Sequence, residues 1–312
     1  MPGLSDKRLV FVTGKGGVGK STVAIALGIA AARRGQRVVV AELSGQARAA
    51  ETFGVAPEPG AELPLDGGLH TCSVDMELAM EEYLHERAGR IGDLLAASRA
   101  FHTFASATPG MRELLSIGKV WELAQDRRRI AGTRPYDLVI VDASATGHAL
   151  GALRAPATFA EIARVGPIAH QGRTIDATLR DPAQTAVLAV ALPEEMPVAE
   201  TLALGGRLRE ALGLRLAAIV VNACLPARIG PRQAQTVADA LARPHHTGWD
   251  PVVRAALQTA ISEQARASAQ REQVARLADG IGAAPLELPY LFAPALDAAA
   301  LGGLADLLEE LL

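Results

Sequence analysis

Short apolar runs alternate along the chain with longer segments in which apolar residues recur every three or four positions. A short apolar run is typical of a buried strand, whereas a spacing of three and four is typical of a helix. Strands that alternate with helices predict a mostly parallel β-sheet flanked by helices, which is an α/β fold. We expect one domain over residues 1–312, with strands at 9–12, 37–42, 70–74, 136–141, 184–192, 214–221 and 286–288, and a proline- and glycine-rich loop at 56–68.

The region from residue 75 to about 132 has a helical pattern of its own. Apolar residues recur at helical spacing on both sides of a Thr-Pro-Gly break at 108–110. We therefore expect an inserted helical subdomain at about 75–132. Its apolar face is wider than one packing stripe requires. We favour packing within the subdomain as the explanation, and the alternative is an apolar surface that receives a client or partner.

Residues 9–22, LVFVTGKGGVGKST, join the first apolar run to an alanine-rich helical segment. They contain the pattern G-x-x-x-x-G-K-[ST] between a strand and a helix, which is the context that a phosphate-binding loop requires. A glycine turn that merely links the two elements is the alternative, and the complete pattern favours nucleotide binding. The predicted loop is Gly14, Lys15, Gly16, Gly17, Val18, Gly19, Lys20, Ser21 and Thr22.

The chemistry of this loop predicts ATP and Mg²⁺ as cofactors. Its backbone N–H groups and the positive end of the following helix favour an anion. Lys20 is expected to reach the β- and γ-phosphates, and the Ser21 hydroxyl to hold Mg²⁺. Asp142 closes the apolar strand 136–141, as a Walker B aspartate that holds Mg²⁺ through water does. A helix N-cap is the alternative role for Asp142, and the P-loop makes it the less favoured one.

Composition and charge exclude several other classes of protein. The 31 basic and 34 acidic residues give a net charge of −3, which provides no global attraction to nucleic acid. Cys72 and Cys224 lie too far apart in sequence to suggest a disulfide framework or a metal knuckle. The apolar helical stretch at 23–32 is too short to span a bilayer, and the N-terminal apolar run is too short for a signal peptide. We expect a cytosolic protein without a transmembrane segment.

A second lysine within the loop, Lys15 in KGGVGKST, resembles the deviant Walker A ATPases. Four blocks in chain order narrow this resemblance: FVTGKGGVGKST, DASATGHALGALRAP, LPEEMPVAET and VVNACLP. Together they resemble the arsenite-pump and tail-anchored-protein-targeting ATPase family, often labelled anion-transporting ATPases. D-x-x-x-T-G-H is the most discriminating motif. The tracts ELSGQARAAETFG and FASATPGMRELLSIGK look most like a bacterial branch whose members can occur as paired paralogues.

The resemblance implies a homodimer, or a heterodimer with a paralogous ATPase, in which Lys15 reaches the partner's nucleotide. It implies that residues 142–148 form switch II, which senses the γ-phosphate. Asn222 is expected to recognise adenine, Pro289 to border the base within the tract 288–292, and Glu194 to lie near the nucleotide across the dimer. The helical region would form the surface for a hydrophobic client.

The sequence departs from the family at two places. Aligned through Phe53 and Gly54, Ser44 stands where the family has the switch I aspartate that positions the attacking water. A hydroxyl carries no charge to orient water, so the chemical step is expected to suffer. Glu42 lies two residues earlier, but at a different angle on the strand end. The zinc C-x-x-C motif and any thiol cluster for arsenite are absent, so arsenite handling is not expected.

These observations predict a dimeric Mg-ATPase whose nucleotide state switches the helical region for a client or membrane partner. The alternative function is a weakly hydrolysing subunit that regulates or scaffolds a paralogous ATPase, as Ser44 suggests. A partition- or Min-type ATPase would need a basic surface or a basic amphipathic tail, and neither is visible. Nitrogenase-like electron transfer would need cysteines that hold an iron–sulfur cluster, for which two isolated cysteines give weak support.

Overall fold

The computed structural model describes residues 3–85, 110–128, 133–242, 250–293 and 295–312, apart from the side chains of 167 and 168. Within these residues one sheet contains eight strands. They are β1 (Leu9–Thr13), β2 (Val38–Glu42), β3 (Glu62–Pro64), β4 (Leu69–Ser73), β5 (Leu138–Asp142), β6 (Thr185–Ala191), β7 (Leu216–Cys224) and β8 (Leu286–Pro289). Their order is β3-β4-β2-β5-β1-β6-β7-β8, and every neighbouring pair is parallel except β3 and β4. The predicted α/β class is confirmed.

The edge strand β3 corrects the prediction of a continuous loop at 56–68. Glu62–Pro64 pair antiparallel with β4, in the register Glu62 to Cys72 and Pro64 to His70. A proline is tolerated there because an edge strand pairs on one side alone. The segment is three residues long and has no apolar alternation, so the sequence pattern gives no sign of a strand.

Helices cover both faces of the sheet. They are α1 (Lys20–Arg33), α2 (Arg48–Thr52), α3 (residues 76–85), α4 (Met111–Leu123), α5 (Thr146–Ala163), α6 (Pro167–Arg180), α7 (Glu195–Leu212), α8 (Pro231–Ala242), α9 (Pro251–Ile281) and α10 (Ala298–Leu308). In the described part of the chain, none of them is both long and apolar enough to cross a membrane.

The predicted helical region is described in part. Helices α3 and α4 lie where the periodicity predicts them, and Gly110 directly precedes α4 with a φ of 80°. Residues 86–109 and 129–132 lie outside the described residues, and with them most of the predicted break at 108–110. The bounds of an inserted subdomain therefore stay a prediction.

Strand β1 is buried on both faces, which explains its continuous apolar run. Because successive side chains of a strand point to opposite faces, Val10 and Val12 pack in the core beneath α1 and α10. Leu9 and Phe11 pack in the core beneath α4, α5 and α6. Full burial of each such side chain contributes about 1.5–3 kcal/mol.

The order of the strands determines where a ligand can bind. The chain leaves β1 toward β2 on one side of the sheet, while the connection from β5 to β6 passes to the other side of β1. Such a reversal opens a crevice at the carboxyl ends of the strands, which is where open α/β sheets bind ligands. In register, Val12 pairs with Asp142, and Asp142 pairs with Glu42. The P-loop and these two carboxylates thus lie at one edge.

Candidate functional site

Two glycines allow the P-loop to pass close to the neighbouring strands. A Cβ atom on Gly14 would lie 2.1 Å from the carbonyl oxygen of Val190 in β6. A Cβ atom on Gly19, whose φ is 90°, would lie 2.2 Å from Nδ2 of Asn222 in β7. A larger residue at Gly14 would require movement of the backbone, and one at Gly19 would displace the Asn222 side chain and strain the loop at a positive φ. The loop's shape is therefore fixed by contact with the ends of β6 and β7.

The loop ends at the N-terminus of α1, which Gly19 caps without a side-chain hydrogen bond. The first N–H groups of a helix have no acceptor within the helix, and the helix dipole places partial positive charge there. The first turn of α1 contains no acidic residue that would compete for these groups. This end of the helix is suited to bind a phosphate.

Lys20 is partly buried beneath the loop, and its Nζ donates a hydrogen bond to the carbonyl oxygen of Lys15 at 3.1 Å. Burial lowers the pKa of the Lys20 ammonium; the carboxylate of Asp142 opposes this shift, and the charge of Arg48 adds to it. A polyanion bound in the loop would stabilise the charged form of Lys20.

Ser21 and Asp142 form the centre of the site. The Ser21 hydroxyl donates a hydrogen bond of 2.5 Å to Oδ2 of Asp142, which is 3% exposed. Burial raises the pKa of the Asp142 carboxyl, and the Ser21 hydrogen bond and the charge of Lys20 act against that shift. A hydroxyl and a carboxylate side by side are the oxygen donors that Mg²⁺ prefers.

The donor set fits Mg²⁺ better than a transition metal. Among the described residues, no group of three or more histidine, cysteine, aspartate or glutamate side chains could hold a metal ion. Mg²⁺ does not need such a group, because it keeps several waters and takes ligands from substrate phosphates. Ser21 and Asp142 would hold it, as the sequence predicts.

Glu42, the last residue of β2, has a structural role that its sequence context does not indicate. Its carboxylate accepts hydrogen bonds from the backbone N–H of Arg48 at 2.8 Å, from that of Ala49 at 3.4 Å and from the Thr71 hydroxyl at 3.0 Å. Burial raises the pKa of Glu42 to about 7. The side chain thus holds the start of α2 and fixes the switch I loop, residues 43–47.

Ser44 is exposed in switch I. It lines a cavity of about 510 Å³ together with His148 of switch II and Arg112 of α4. Switch II is also tied to the P-loop, because the backbone N–H of Thr146 donates to the carbonyl oxygen of Gly14 at 3.2 Å. The structure therefore brings both predicted switches to the helical region.

Lys15 lies outside the phosphate site of its own chain. Its Nζ is 3.2 Å from Oε1 of Glu200 and 3.7 Å from the sulfur of Met196, both on α7. No local pattern predicts the contact with Glu200, because the two residues are far apart in the chain.

The two residues predicted around the base, Asn222 and Pro289, and the one predicted near the nucleotide across the dimer, Glu194, lie at the ends of three neighbouring strands. Nδ2 of Asn222 donates to the carbonyl oxygen of Val18 at 3.0 Å. Ala223 follows with a φ of 61° where the register of β7 and β8 shifts, a conformation that non-glycine residues rarely adopt. Pro289 pairs with Cys224 at the end of β8. Glu194 is exposed and caps α7 after β6.

The last predicted loop residue, Thr22, lies in the first turn of α1. It lines a cavity of about 770 Å³ with Ser21, Arg48 of α2 and Leu301 of α10. Of the predicted site residues, Thr22 and Ser21 are thus on the switch I side of the loop, while Asn222 and Pro289 are on the β7 side.

Comparison with known proteins identifies the family of this chain. The profile of the family described as "Anion-transporting ATPase" matches residues 7–165 and 161–238. ATPase BagA of Mycobacterium tuberculosis is 30% identical over 326 positions, which cover 99% of this chain and 93% of the relative. The ATPase ASNA1 homolog of Entamoeba dispar is 27% identical over 70% of this chain and 76% of its own. ATPase GET3 of Kluyveromyces lactis is 30% identical over 53% of this chain and 52% of its own.

The family profile covers the P-loop, both switches and Asn222, and the similarity to the mycobacterial ATPase extends over nearly the whole chain. The resemblance that the sequence blocks suggest and the predicted class of enzyme, an ATP hydrolase, are confirmed. The chain belongs to the anion-transporting ATPase family.

Proposed function

We propose that this chain binds Mg-ATP in the loop 14–22 and hydrolyses it as part of a dimer. The observation that carries the proposal is the contact between Ser21 and Asp142 beside the partly buried Lys20. A hydroxyl, a carboxylate and an ammonium at the start of one helix are the groups that Mg²⁺ and a triphosphate require.

Each residue of the loop has a separate task in this proposal. The backbone N–H groups of the loop and of the first turn of α1 bind the phosphate oxygens, and Lys20 neutralises the β- and γ-phosphates. Ser21 and Asp142 hold Mg²⁺, which when bound supplies positive charge against the phosphate oxygens. In hydrolysis the water oxygen bonds to the γ-phosphorus, the bridging bond breaks, and ADP leaves with the electron pair while the water proton passes to solvent or phosphate.

Dimerisation gives Lys15 its place in the mechanism. Its contact with Glu200 keeps the ammonium outside its own phosphate site, on the surface of the chain. We propose that Lys15 instead neutralises the phosphates bound by a partner subunit, either a second copy or a paralogue. Glu194, which is exposed at the start of the same helix, would then lie near the partner's nucleotide.

The base is proposed to bind between β7 and β8. Because Nδ2 of Asn222 is engaged by Val18, its Oδ1 remains to accept a hydrogen bond from the exocyclic amine of adenine. Guanine has a carbonyl oxygen at that position, and two acceptors cannot bond. Pro289, at the end of β8, would border the ring.

The nucleotide state is proposed to reach the helical region through the cavity that Ser44 and His148 share with Arg112. Helix α4 is joined to α3 by an ion pair of 2.8 Å between Lys119 and Glu82. Movement of either switch would therefore shift both helices together. We propose that this shift acts on a protein client or membrane partner. The cytosolic location and the bounds 75–132 of the subdomain stay predictions.

A test of nucleotide binding is the affinity of the purified chain for Mg-ATP, measured by titration calorimetry in wild type and in Lys20→Met. Removal of the ammonium is expected to weaken binding at least 10-fold, because a hydrogen bond to a charged group contributes about 1.5–3 kcal/mol. Equal affinities in the two proteins would reject the proposed phosphate site.

A weakly hydrolysing, regulatory subunit is the second candidate, and Ser44 is the observation that favours it. The residue is exposed and uncharged, while the nearby carboxylate of Glu42 is engaged by α2. In this case Ser44→Asp is expected to raise ATP turnover of the chain alone, while the neutral isostere Ser44→Asn does not. If wild type hydrolyses ATP rapidly and neither substitution changes its turnover, the role of a weakly hydrolysing regulatory subunit is excluded.

A further inference from the structure

Arg48, the first residue of α2, is hydrogen-bonded through its backbone to the buried end of β2. Its backbone N–H donates to Oε1 of Glu42 at 2.8 Å, and its Nε donates to Oε1 of Gln46 at 2.8 Å. Within the described residues, its two terminal nitrogens have no hydrogen-bond partner, and the residue is exposed. The backbone of Arg48 is therefore fixed while its guanidinium group is available to a ligand.

The register of the sheet places this arginine beside the phosphate site. Glu42, which anchors it, pairs with Asp142, and neighbouring strands lie about 5 Å apart. Arg48 also lines the same cavity of about 770 Å³ as Ser21. Arg48 and Ser21 thus share the cavity between switch I and the start of α1.

The guanidinium group matches phosphate oxygens in shape as well as in charge, since it presents paired N–H donors in one plane. Ser21 would hold Mg²⁺, which would supply positive charge to the terminal phosphates, so a group that lines the same cavity as Ser21 can meet the end of the triphosphate. We propose that Arg48 binds the γ-phosphate of ATP in its own chain. Switch I, with Ser44 in place of the family's aspartate, would then detect the third phosphate through an arginine. This inference rests on the proposed binding of Mg-ATP.

The test compares nucleotides with and without the third phosphate. Full-length wild type, Arg48→Gln and Arg48→Lys are titrated with the Mg²⁺ complexes of β,γ-imido-ATP and of ADP. Arg48→Gln is expected to weaken binding of the triphosphate analogue about 10- to 100-fold, the range for one charge-assisted hydrogen bond or pair. Its affinity for ADP is expected to equal that of wild type. The affinity of Arg48→Lys for the triphosphate analogue is expected to lie between those of wild type and Arg48→Gln, because lysine retains the charge but not the paired N–H donors.

Arg34→Gln is the matched control, because it removes the same charge from an exposed arginine just after α1. That position is 13 residues from Ser21, about 20 Å along the helix. Equal loss of affinity for both nucleotides in Arg48→Gln, or no loss for either, would overturn the inference while leaving Mg-ATP binding intact. Failure of wild type to bind either nucleotide would overturn both.

Discussion

The Lys15 ammonium lies 3.2 Å from the Glu200 carboxylate of its own chain, on the surface of the P-loop rather than within it. Their side chains are 31% and 36% exposed, and an ion pair with this much solvent access contributes at most about 1 kcal/mol. Lys15 is therefore weakly held, and a more highly charged partner can displace Glu200.

Glu200→Gln is expected to favour ATP-dependent dimerisation, because it removes the carboxylate that competes for Lys15. The expected gain in the dimer association constant is up to about 25-fold, because about fivefold, the energy of one exposed pair, is gained in each of the two subunits. Sedimentation velocity with β,γ-imido-ATP measures it. Glu210→Gln serves as the control, since it changes the same charge near the other end of the same helix. If the two substitutions have equal effects, the Lys15 contact does not restrain assembly.

Glu42 is expected to make stability depend on pH. Because burial raises its pKa to about 7 from an ordinary 4.5, the folded state binds a proton more tightly than the unfolded state does. Its contribution to stability is then complete below pH 4.5 and is lost as the pH rises through 7. A shift of this size corresponds to about 3 kcal/mol.

Glu42→Gln removes this titration and retains an acceptor for the N–H groups of α2. Between pH 5 and pH 8, the free energy of unfolding of wild type is expected to fall by up to about 3 kcal/mol relative to the variant. Urea denaturation at the two pH values measures the difference. Parallel pH profiles would show that Glu42 titrates as it does in the unfolded chain.

A buried ion cluster joins the segment after α4 to the edge strand β3. The Arg128 guanidinium contacts Glu62 of β3 at 2.5 Å and Glu122 of α4 at 3.1 Å, and the Tyr136 hydroxyl donates to Glu62 at 2.9 Å. The side chains of Arg128 and Glu122 are each 1% exposed. Removal of the arginine would take this cation from Glu62, whose side chain is 11% exposed, and from Glu122, which would keep its longer contact of 3.7 Å with Lys119.

Arg128→Met is therefore expected to destabilise the fold by about 3–5 kcal/mol, the range for one lost partner of a buried pair. Arg127→Met provides the comparison, because the neighbouring arginine is exposed and its loss is expected to cost less than about 0.5 kcal/mol. Chemical denaturation followed by circular dichroism distinguishes the two. Equal stabilities of the two variants would contradict the role given to the cluster.

The sequence predicts the parts of this site that depend on local pattern. The loop 14–22 and Asp142 are evident because a glycine motif or an acidic residue directly follows an apolar strand. The contacts of Glu42, Arg48 and Glu200 are not evident, because each depends on residues brought together by the fold. The sequence shows a carboxylate at Glu42 two residues before Ser44, but its role as an acceptor depends on where the loop 43–47 returns to the strand.

Two features of the sheet escape prediction for a similar reason. The edge strand Glu62–Pro64 has neither length nor alternation, and only its pairing with β4 defines it. Strand β7 extends beyond the predicted end at 221 through Asn222 to Cys224, with Ala223 in a left-handed conformation at the register shift. Neither feature has a sequence pattern, because both result from contacts between strands that are distant in the chain.

The magnesium dependence of ATP binding tests the central claim most directly. Titration of the ATP complex with Mg²⁺ is compared in wild type, Asp142→Asn and, as a control, Asp137→Asn, which lies just before the other end of β5. Asparagine at 142 can still accept the Ser21 hydrogen bond but lacks the charge. The Mg²⁺ affinity of Asp142→Asn is expected to be about 10- to 100-fold weaker than that of wild type, and the affinity of Asp137→Asn is expected to be unchanged. Wild-type Mg²⁺ affinity in Asp142→Asn would contradict the claim that Asp142 holds Mg²⁺.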